Sequence, residues 1–325
     1  MIAVLAAAIS FAAALLGLGL ALRRLDGFGA AAPDARSNHT RPTPQIGGIA
    51  MLPVWVLAMA GLSLAGAAAT PFSAPAFLAA MLALFALGVA DDRSSLGALP
   101  KLAIQLAACA LAALPLHAVL PLPPLVAWAL CASVLLTFVN LTNFIDGLDL
   151  MAVSTVGIPS ACFALMAAIG AISSAYLGAG LVTAALFLAF AVYNWHPARA
   201  FLGDGGSLPF GLVLGAMAVI VAAEAGLAAA LLLPTWILFD GCITLARRAM
   251  RGENVLKAHS SHLYQRAFRN GRPVLQVASA VALFGVVCCV LALVAGGTSS
   301  ALVRTASLAV AVILWIALER RLPRR

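Results

Sequence analysis

Eleven apolar runs divide the chain, at about 2–22, 47–66, 75–90, 100–117, 122–139, 152–170, 174–194, 207–224, 227–246, 273–296 and 299–319. Most approach the roughly 20 residues that carry a helix across the hydrocarbon of a bilayer. In lipid every backbone N–H and C=O must be paired within the protein, which leaves helices or closed barrels. Runs this long, without the ~10-residue alternation of barrel strands, point to helices. Composition agrees: 64% of residues are hydrophobic and 9% charged, against about a quarter charged in soluble domains. The expected fold is an all-α integral membrane protein of about eleven transmembrane helices, forming one polytopic domain over 1–325. The third run is short, and Pro115, Pro121, Pro123 and Pro124 crowd the junction of the fourth and fifth.

Charge placement orients the runs. A net charge of +8 would suggest nucleic acid in a soluble protein; here its distribution gives a better account, and no nucleic-acid partner is expected. Alternate connections are 23–46, 91–99, 140–151, 195–206, 247–272 and 320–325, and 18 of the 19 Lys and Arg residues lie in or beside them. Arg304 is the exception. The positive-inside rule makes these connections cytoplasmic and the N-terminus external. No basic residue precedes the first run, whereas Arg23 and Arg24 follow it; a cleavable leader has the opposite polarity. Ten of the eleven acids gather on the same side, Glu224 excepted. The six cysteines lie in apolar runs without a CxxC pair and read as small core residues. The basic 247–272 connection fits a short amphipathic segment on anionic headgroups.

Four polar stretches face that side. GVADDRSSLG places Asp91 and Asp92 side by side at the end of the third run. A capped helix terminus is the plain alternative, but adjacent like charges at a membrane boundary call for a cation, a metal or a proton. NLTNFIDGLD puts Asn140, Asn143 and Asp146 at i, i+3, i+6, close to one helical face. Gly147 permits a turn, and Asp149 either caps the sixth run or joins the site. In YNWHPARAFLGDGGSLPFG, Gly203, Gly205 and Gly206 flank Asp204. Their N–H groups suit an anion nest, Ser207 is the expected start of the next helix, and the aspartate suits Mg²⁺ against phosphate oxygens. HSSHLYQRAFRNG spaces His259 and His262 by three, followed by Arg266 and Arg269. This is not HExxH, and a basic hydrogen-bonding stripe fits a diphosphate; a solvated loop is the bland alternative. Carboxylates, a dication and basic donors are the kit of phosphoryl transfer.

The order DD, NxxNFxDGxD, YNxHPAxxFxGDxGS and HxxHLxxR resembles the polyprenyl-phosphate N-acetylhexosamine-1-phosphate transferases of glycosyltransferase family 4. RSNHTRPTPQIGG (36–48) is similar to their first cytoplasmic loop. The HLYQR form is closer to the O-antigen initiating branch than to the peptidoglycan translocase. The resemblance implies a cytoplasmic cleft in the bacterial inner membrane, with a UDP-N-acetylhexosamine of GlcNAc, QuiNAc or FucNAc type donating sugar-1-phosphate to undecaprenyl phosphate and releasing UMP. It implies Mg²⁺, with Mn²⁺ as the alternative, and allows a homodimer among membrane lipids. Asp91 and Asp92 then match the catalytic pair, Asp204 the metal ligand, and Lys101 the basic residue for the lipid phosphate. Asn143, Asp146, Asp149, Asn194 and Phe201 match positions on the nucleotide sugar, and His259, His262 and Arg266 those on the diphosphate. One position departs: relatives read DGLDG, whereas Leu150 stands here for the last glycine, and leucine disfavours positive φ.

The rival class is a carrier for a lipid-linked sugar or small anion. Carriers place ionisable groups near the midplane and repeat their halves. No repeat is visible, and Asp240, with Arg247 or Arg248 as its expected partner, is the most carrier-like residue.

Overall fold

A computed structural model of the chain describes residues 1–25, 27–29, 42–67, 71–94, 96–255 and 259–323. Residues 36–41 of the RSNHTRPTPQIGG stretch lie outside the described residues. Helices α1 (Ile2–Arg24), α2 (Gly47–Leu64), α3 (Pro75–Arg93), α4 (Ala98–Leu116) and α5 (Pro124–Ile145) come first. They are followed by α6 (Ile158–Ala168), α7 (Leu177–Asn194), α8 (Asp204–Glu224), α9 (Leu227–Leu232) and α10 (Thr235–Met250). A short α11 (Leu263–Arg269) precedes α12 (Val274–Gly296) and α13 (Ala301–Arg321). The protein is an all-α integral membrane protein, as the apolar runs dictate.

Among the described residues, nine helices are long and apolar enough to cross a membrane. The other two apolar runs are modified. The sixth is the shorter segment Val153–Ala168, which opens with a π turn over Val153–Gly157. The ninth, expected as one span, is the pair α9 and α10, broken at Leu233–Pro234. Proline has no N–H to give, and its ring crowds the turn before it. The Thr235 hydroxyl donates back to the carbonyls of Leu231 and Leu232, so the break leaves them paired.

Helix α8 is the axis of the bundle. Every residue from Gly205 to Val221 is buried, as a helix apolar on all sides requires. Helices α2, α3 and α5 pack around it. Its first turn is gripped between two backbones. A Cβ on Gly48 of α2 would lie 2.2 Å from the Gly206 nitrogen, and one on Gly88 of α3 would lie 2.2 Å from the Asp204 carbonyl oxygen. Only glycine fits either position. The N–H groups of Gly47 and Gly48 donate to the carbonyls of Phe201 and Leu202, both at 2.9 Å, so the start of α2 is satisfied by the segment that feeds α8. The ends of α3, α5 and α7 and the start of α8 therefore meet at the charged end of the bundle.

A Gly88→Ala variant tests this grip. The added methyl meets backbone that cannot rotate away, so a loss at or above the usual 1–3 kcal/mol of overpacking is expected. Gly61, also in a membrane helix, has nothing within 4 Å of the place its Cβ would take, so Gly61→Ala should leave stability unchanged or slightly raised. Thermal unfolding in detergent compares the two; equal melting temperatures would refute the close contact.

Candidate active site

Asp92 holds the start of α8. Its Oδ1 accepts the Asp204 N–H at 2.9 Å, and its Oδ2 accepts the Gly205 N–H at 3.0 Å. Gly203, at φ +72°, turns the chain into the helix, and its carbonyl accepts from Gly206 and Ser207. The helix begins at Asp204, three residues before the serine expected to start it. The glycine turn was expected to cradle an external anion; the anion its first amides bind is the carboxylate of Asp92. Gly205 and Gly206 serve close packing instead.

With its amide held by Asp92, the Asp204 side chain meets three other helices. Oδ1 accepts Nδ2 of Asn143 at 2.6 Å, and Asn143 also donates to Ser207 Oγ at 2.9 Å. Oδ2 accepts the Lys101 ammonium, which donates to Asp91 Oδ2 at 2.8 Å as well. Asp91 Oδ1 accepts the Leu96 N–H at 2.7 Å. Lys101 thus stands between Asp91 and Asp204, joining α3, α4 and α8. Asn140 is not part of this set: its amide donates to Leu136 O in its own helix.

Asp146 caps the end of α5 in a different electrostatic position. Among the described residues no group donates to its carboxylate. Burial pushes its pKa well above the usual carboxylate range, and the neighbouring Asp204, Asp92 and Asp149 push it further. Four carboxylates against one ammonium form a cluster whose chemistry suits a hard dication with oxygen ligands. Among the described residues no three His, Cys, Asp or Glu side chains form a ready-made metal cage. Mg²⁺ needs none, since it binds through one or two carboxylates and completes its shell with water and substrate phosphate.

Two residues expected beside the nucleotide brace the loops. Asp149 is 2% exposed. Its Oδ2 meets His196 Nδ1 at 2.7 Å and accepts the Ala198 N–H at 3.2 Å. Asn194, 4% exposed, accepts the Leu150 N–H at 2.7 Å and donates to Ala200 O at 2.9 Å. Together they tie the turn after α5 to the segment after α7. Leu150 has φ +65°, so the position where the resemblance implies glycine lies in the left-handed region, and leucine is held there by Asn194. Phe201 is half-buried, and its backbone bonds to Pro44 O and to Gly47 N–H.

Residues 74–222, which contain every carboxylate of this cluster, match the model of glycosyl transferase family 4. The chain matches that family over a little under half of its length. It is a phosphoglycosyltransferase. The decaprenyl-phosphate N-acetylglucosaminephosphotransferase of Mycolicibacterium smegmatis is 29% identical, over 75% of this chain and 70% of that protein. A probable undecaprenyl-phosphate N-acetylglucosaminyl 1-phosphate transferase of Bacillus subtilis is 28% identical, over 74% and 69%. A phospho-N-acetylmuramoyl-pentapeptide-transferase of Synechococcus is 33% identical, over 55% and 54%.

The histidine segment lies beyond the family match, and this transferase docks it on the turn after α5. The Tyr264 hydroxyl donates to Phe144 O at 3.0 Å. A Cβ on Gly147 would lie 2.4 Å from that hydroxyl, so Gly147 serves this close approach. Leu263, Tyr264 and Ala267 are buried against protein, so one side of the segment packs inside the fold. Phe144 lies 6.3 Å from the His259 ring and 6.4 Å from that of His262. Arg266, expected on the diphosphate, is instead paired with Glu319 of α13 at 3.2 Å, and Arg247 engages the same carboxylate. Asp240, expected beside Arg247 or Arg248, spends its hydrogen bond elsewhere, accepting the Leu263 N–H at 2.7 Å, while its charge still acts on Arg247. The most carrier-like residue is spent inside the fold. Sequence reasoning also missed His196; its only signal was a histidine beside the Asn194 motif.

The raised pKa of Asp146 has a sign that can be measured. Above the ordinary aspartate value the unfolded chain releases the proton that the folded protein keeps, so folding stability falls as pH rises through that interval. The limiting slope for one proton is about 1.4 kcal/mol per pH unit. Asp146→Asn removes it. Melting temperatures from pH 5 to 8 without divalent ions should fall more steeply for the native protein than for the variant; parallel curves would contradict the assignment.

Proposed function

We propose that this transferase moves N-acetylhexosamine-1-phosphate from a UDP-sugar to undecaprenyl phosphate, releasing UMP, at the cytoplasmic face of the bacterial inner membrane. The product would begin an O-antigen or another surface polysaccharide. The observation that carries the reading is the convergence of Asp91, Asp92, Asp146 and Asp204 with Lys101 and Asn143 at one charged end of a membrane bundle. A water-soluble nucleotide and a lipid-buried acceptor can meet there and nowhere deeper. The names of the two relatives matched over about three quarters of the chain favour N-acetylglucosamine as the sugar. The positive-inside distribution supports the cytoplasmic orientation.

In the proposed reaction an oxygen of the lipid phosphate forms a bond to the phosphorus carrying the sugar, and the bond from that phosphorus to the UMP oxygen breaks. Lipid phosphate near neutral pH is already mostly ionised, with a second pKa of about 6, so placement matters more than proton removal. The contacts of the two neighbouring acids fit this. Asp92 has both oxygens on the α8 amides, and Asp91 holds Lys101. Lys101 can offer its ammonium to the acceptor phosphate without leaving Asp91. Asp204, with Asp146 nearby, is the residue that would hold Mg²⁺ or Mn²⁺. When bound, the ion supplies positive charge against the diphosphate. Asn143 orients Asp204 from the side.

Purified protein given UDP-GlcNAc, UDP-QuiNAc or UDP-FucNAc with undecaprenyl phosphate and Mg²⁺ should release UMP only when the lipid is present. Asp204→Asn should reduce turnover about 100-fold or more, the scale of losing one preorganised electrostatic contact, with melting behaviour retained. UMP release independent of the lipid, or near-native rates in the variant, would overturn the reading.

A further inference from the structure

The two histidines occupy unlike places. His262 is 1% exposed; its Nδ1 lies 3.5 Å from a carboxylate oxygen of Asp240, and its side chain faces the first amides of α11. His259 is half-buried. The rings stack in series: His259 lies 4.8 Å from His262, and His262 lies 5.9 Å from Tyr264. A sealed ring in the middle of a stack cannot reach a ligand. The ring at its front can.

One face of α10 holds the segment that carries both. Asp240, Thr244 and Arg248 follow at i, i+4, i+8 and so share that face. Arg248, buried, holds the start of the segment: its Nε donates to Glu253 Oε2 at 2.8 Å and its Nη2 to Asn254 O at 2.9 Å. Asp240, also buried, holds the end. Its Oδ1 accepts the Leu263 N–H at 2.7 Å and the Thr244 hydroxyl at 3.3 Å, and lies 3.5 Å from His262 Nδ1. Its Oδ2 has no partner among the described residues. Buried carboxylates without full pairing are costly and need a reason. Holding a ring edge-on against a helix start is such a reason.

Resting on the function proposed above, we propose that Asp240 is a positioning residue. Through His262 and the start of α11 it sets His259 as the histidine that meets substrate phosphate. The ring of His259 is prepared for that contact. Its Nδ1 accepts from the Ser261 N–H at 3.4 Å and lies 3.0 Å from Ser261 Oγ. An accepting Nδ1 leaves the proton of a neutral ring on Nε2. Burial, His262 and Arg248 push the ring's pKa down to about 4, so it is neutral at physiological pH. Nε2 has no partner among the described residues and is not sealed from solvent. It is a hydrogen-bond donor facing outward, suited to a phosphate oxygen. His262 is a positioning residue in the same chain of contacts.

Two measurements separate this from the underlying function. Histidine modification by diethyl pyrocarbonate, mapped by mass spectrometry on the intact membrane protein, needs no turnover. His259 should react and His262 should be protected at least tenfold, with the protection lost in Asp240→Asn. Equal reactivity of both rings in the native protein, or protection unchanged in the variant, would overturn the positioning of His262 by Asp240. The second is a double-mutant cycle on UMP release. Asp240→Asn keeps an oxygen for the Leu263 amide, so the fold should survive. It should lower kcat about tenfold with little change in KM, and adding it to His259→Gln should cost nothing further, because both act through one group. Multiplicative losses would show that Asp240 acts independently of His259 and would sink the proposal. Absence of UMP release by the native protein would overturn the function and with it the role given to His259, while the modification pattern would still decide what Asp240 holds.

Discussion

The carboxylate of Asp92 on the first amides of α8 is the contact on which the charged end depends. A helix leaves four N–H groups unpaired at its start, and burying them in a membrane bundle without partners would be prohibitive. Asp92 takes two of them from a helix more than a hundred residues earlier in the chain. The Gly203 carbonyl takes the N–H groups of Gly206 and Ser207. Because the contact is made by both carboxylate oxygens, it fixes α3 against α8 in rotation as well as distance. Gly48 and Gly88 then allow the backbones to close to a spacing that no side chain would permit. This places Asp204 where Asn143 and Lys101 reach it.

The remainder of the site follows from the same economy of burial. The acids and amides of the loops at this end are paired across elements. Asp149 and Asn194 bind two loops to each other, and the left-handed Leu150 is secured between them. Asp146 stands apart, since its near charges are carboxylates and, among the described residues, nothing donates to it. Groups without compensation of this kind concentrate at functional sites. The ion pairs of Glu319 with Arg247 and Arg266 fasten α13 to α10 and to α11 of the histidine segment.

Much of this was legible in the order of residues. The apolar runs and the acid-bearing motifs gave most of the helices and the membership of the carboxylate cluster. At position 150 the leucine argued against the left-handed region, yet the angle there is positive. What misled was local grammar. GDGGS reads as an anion nest because three glycines around an aspartate expose amides, yet those amides are filled by Asp92. Arg266 reads as a phosphate ligand because it follows two histidines, yet its helix presents it to α13. Asp240 reads as a partner for the arginines one or two turns on, yet it faces a different helix start.

Sequence by itself determined the solvent of each segment. Hydrophobicity summed over twenty residues, and charge summed over a connection, do not depend on which helix lies next to which. Tertiary structure alone decided partners: which carboxylate caps α8, which histidine is sealed and which is presented, and where the glycines are needed. These are contacts at about 2–3 Å between residues far apart in the chain, and hydrogen bonding falls away within fractions of an ångström. No sum over neighbours in sequence contains that information.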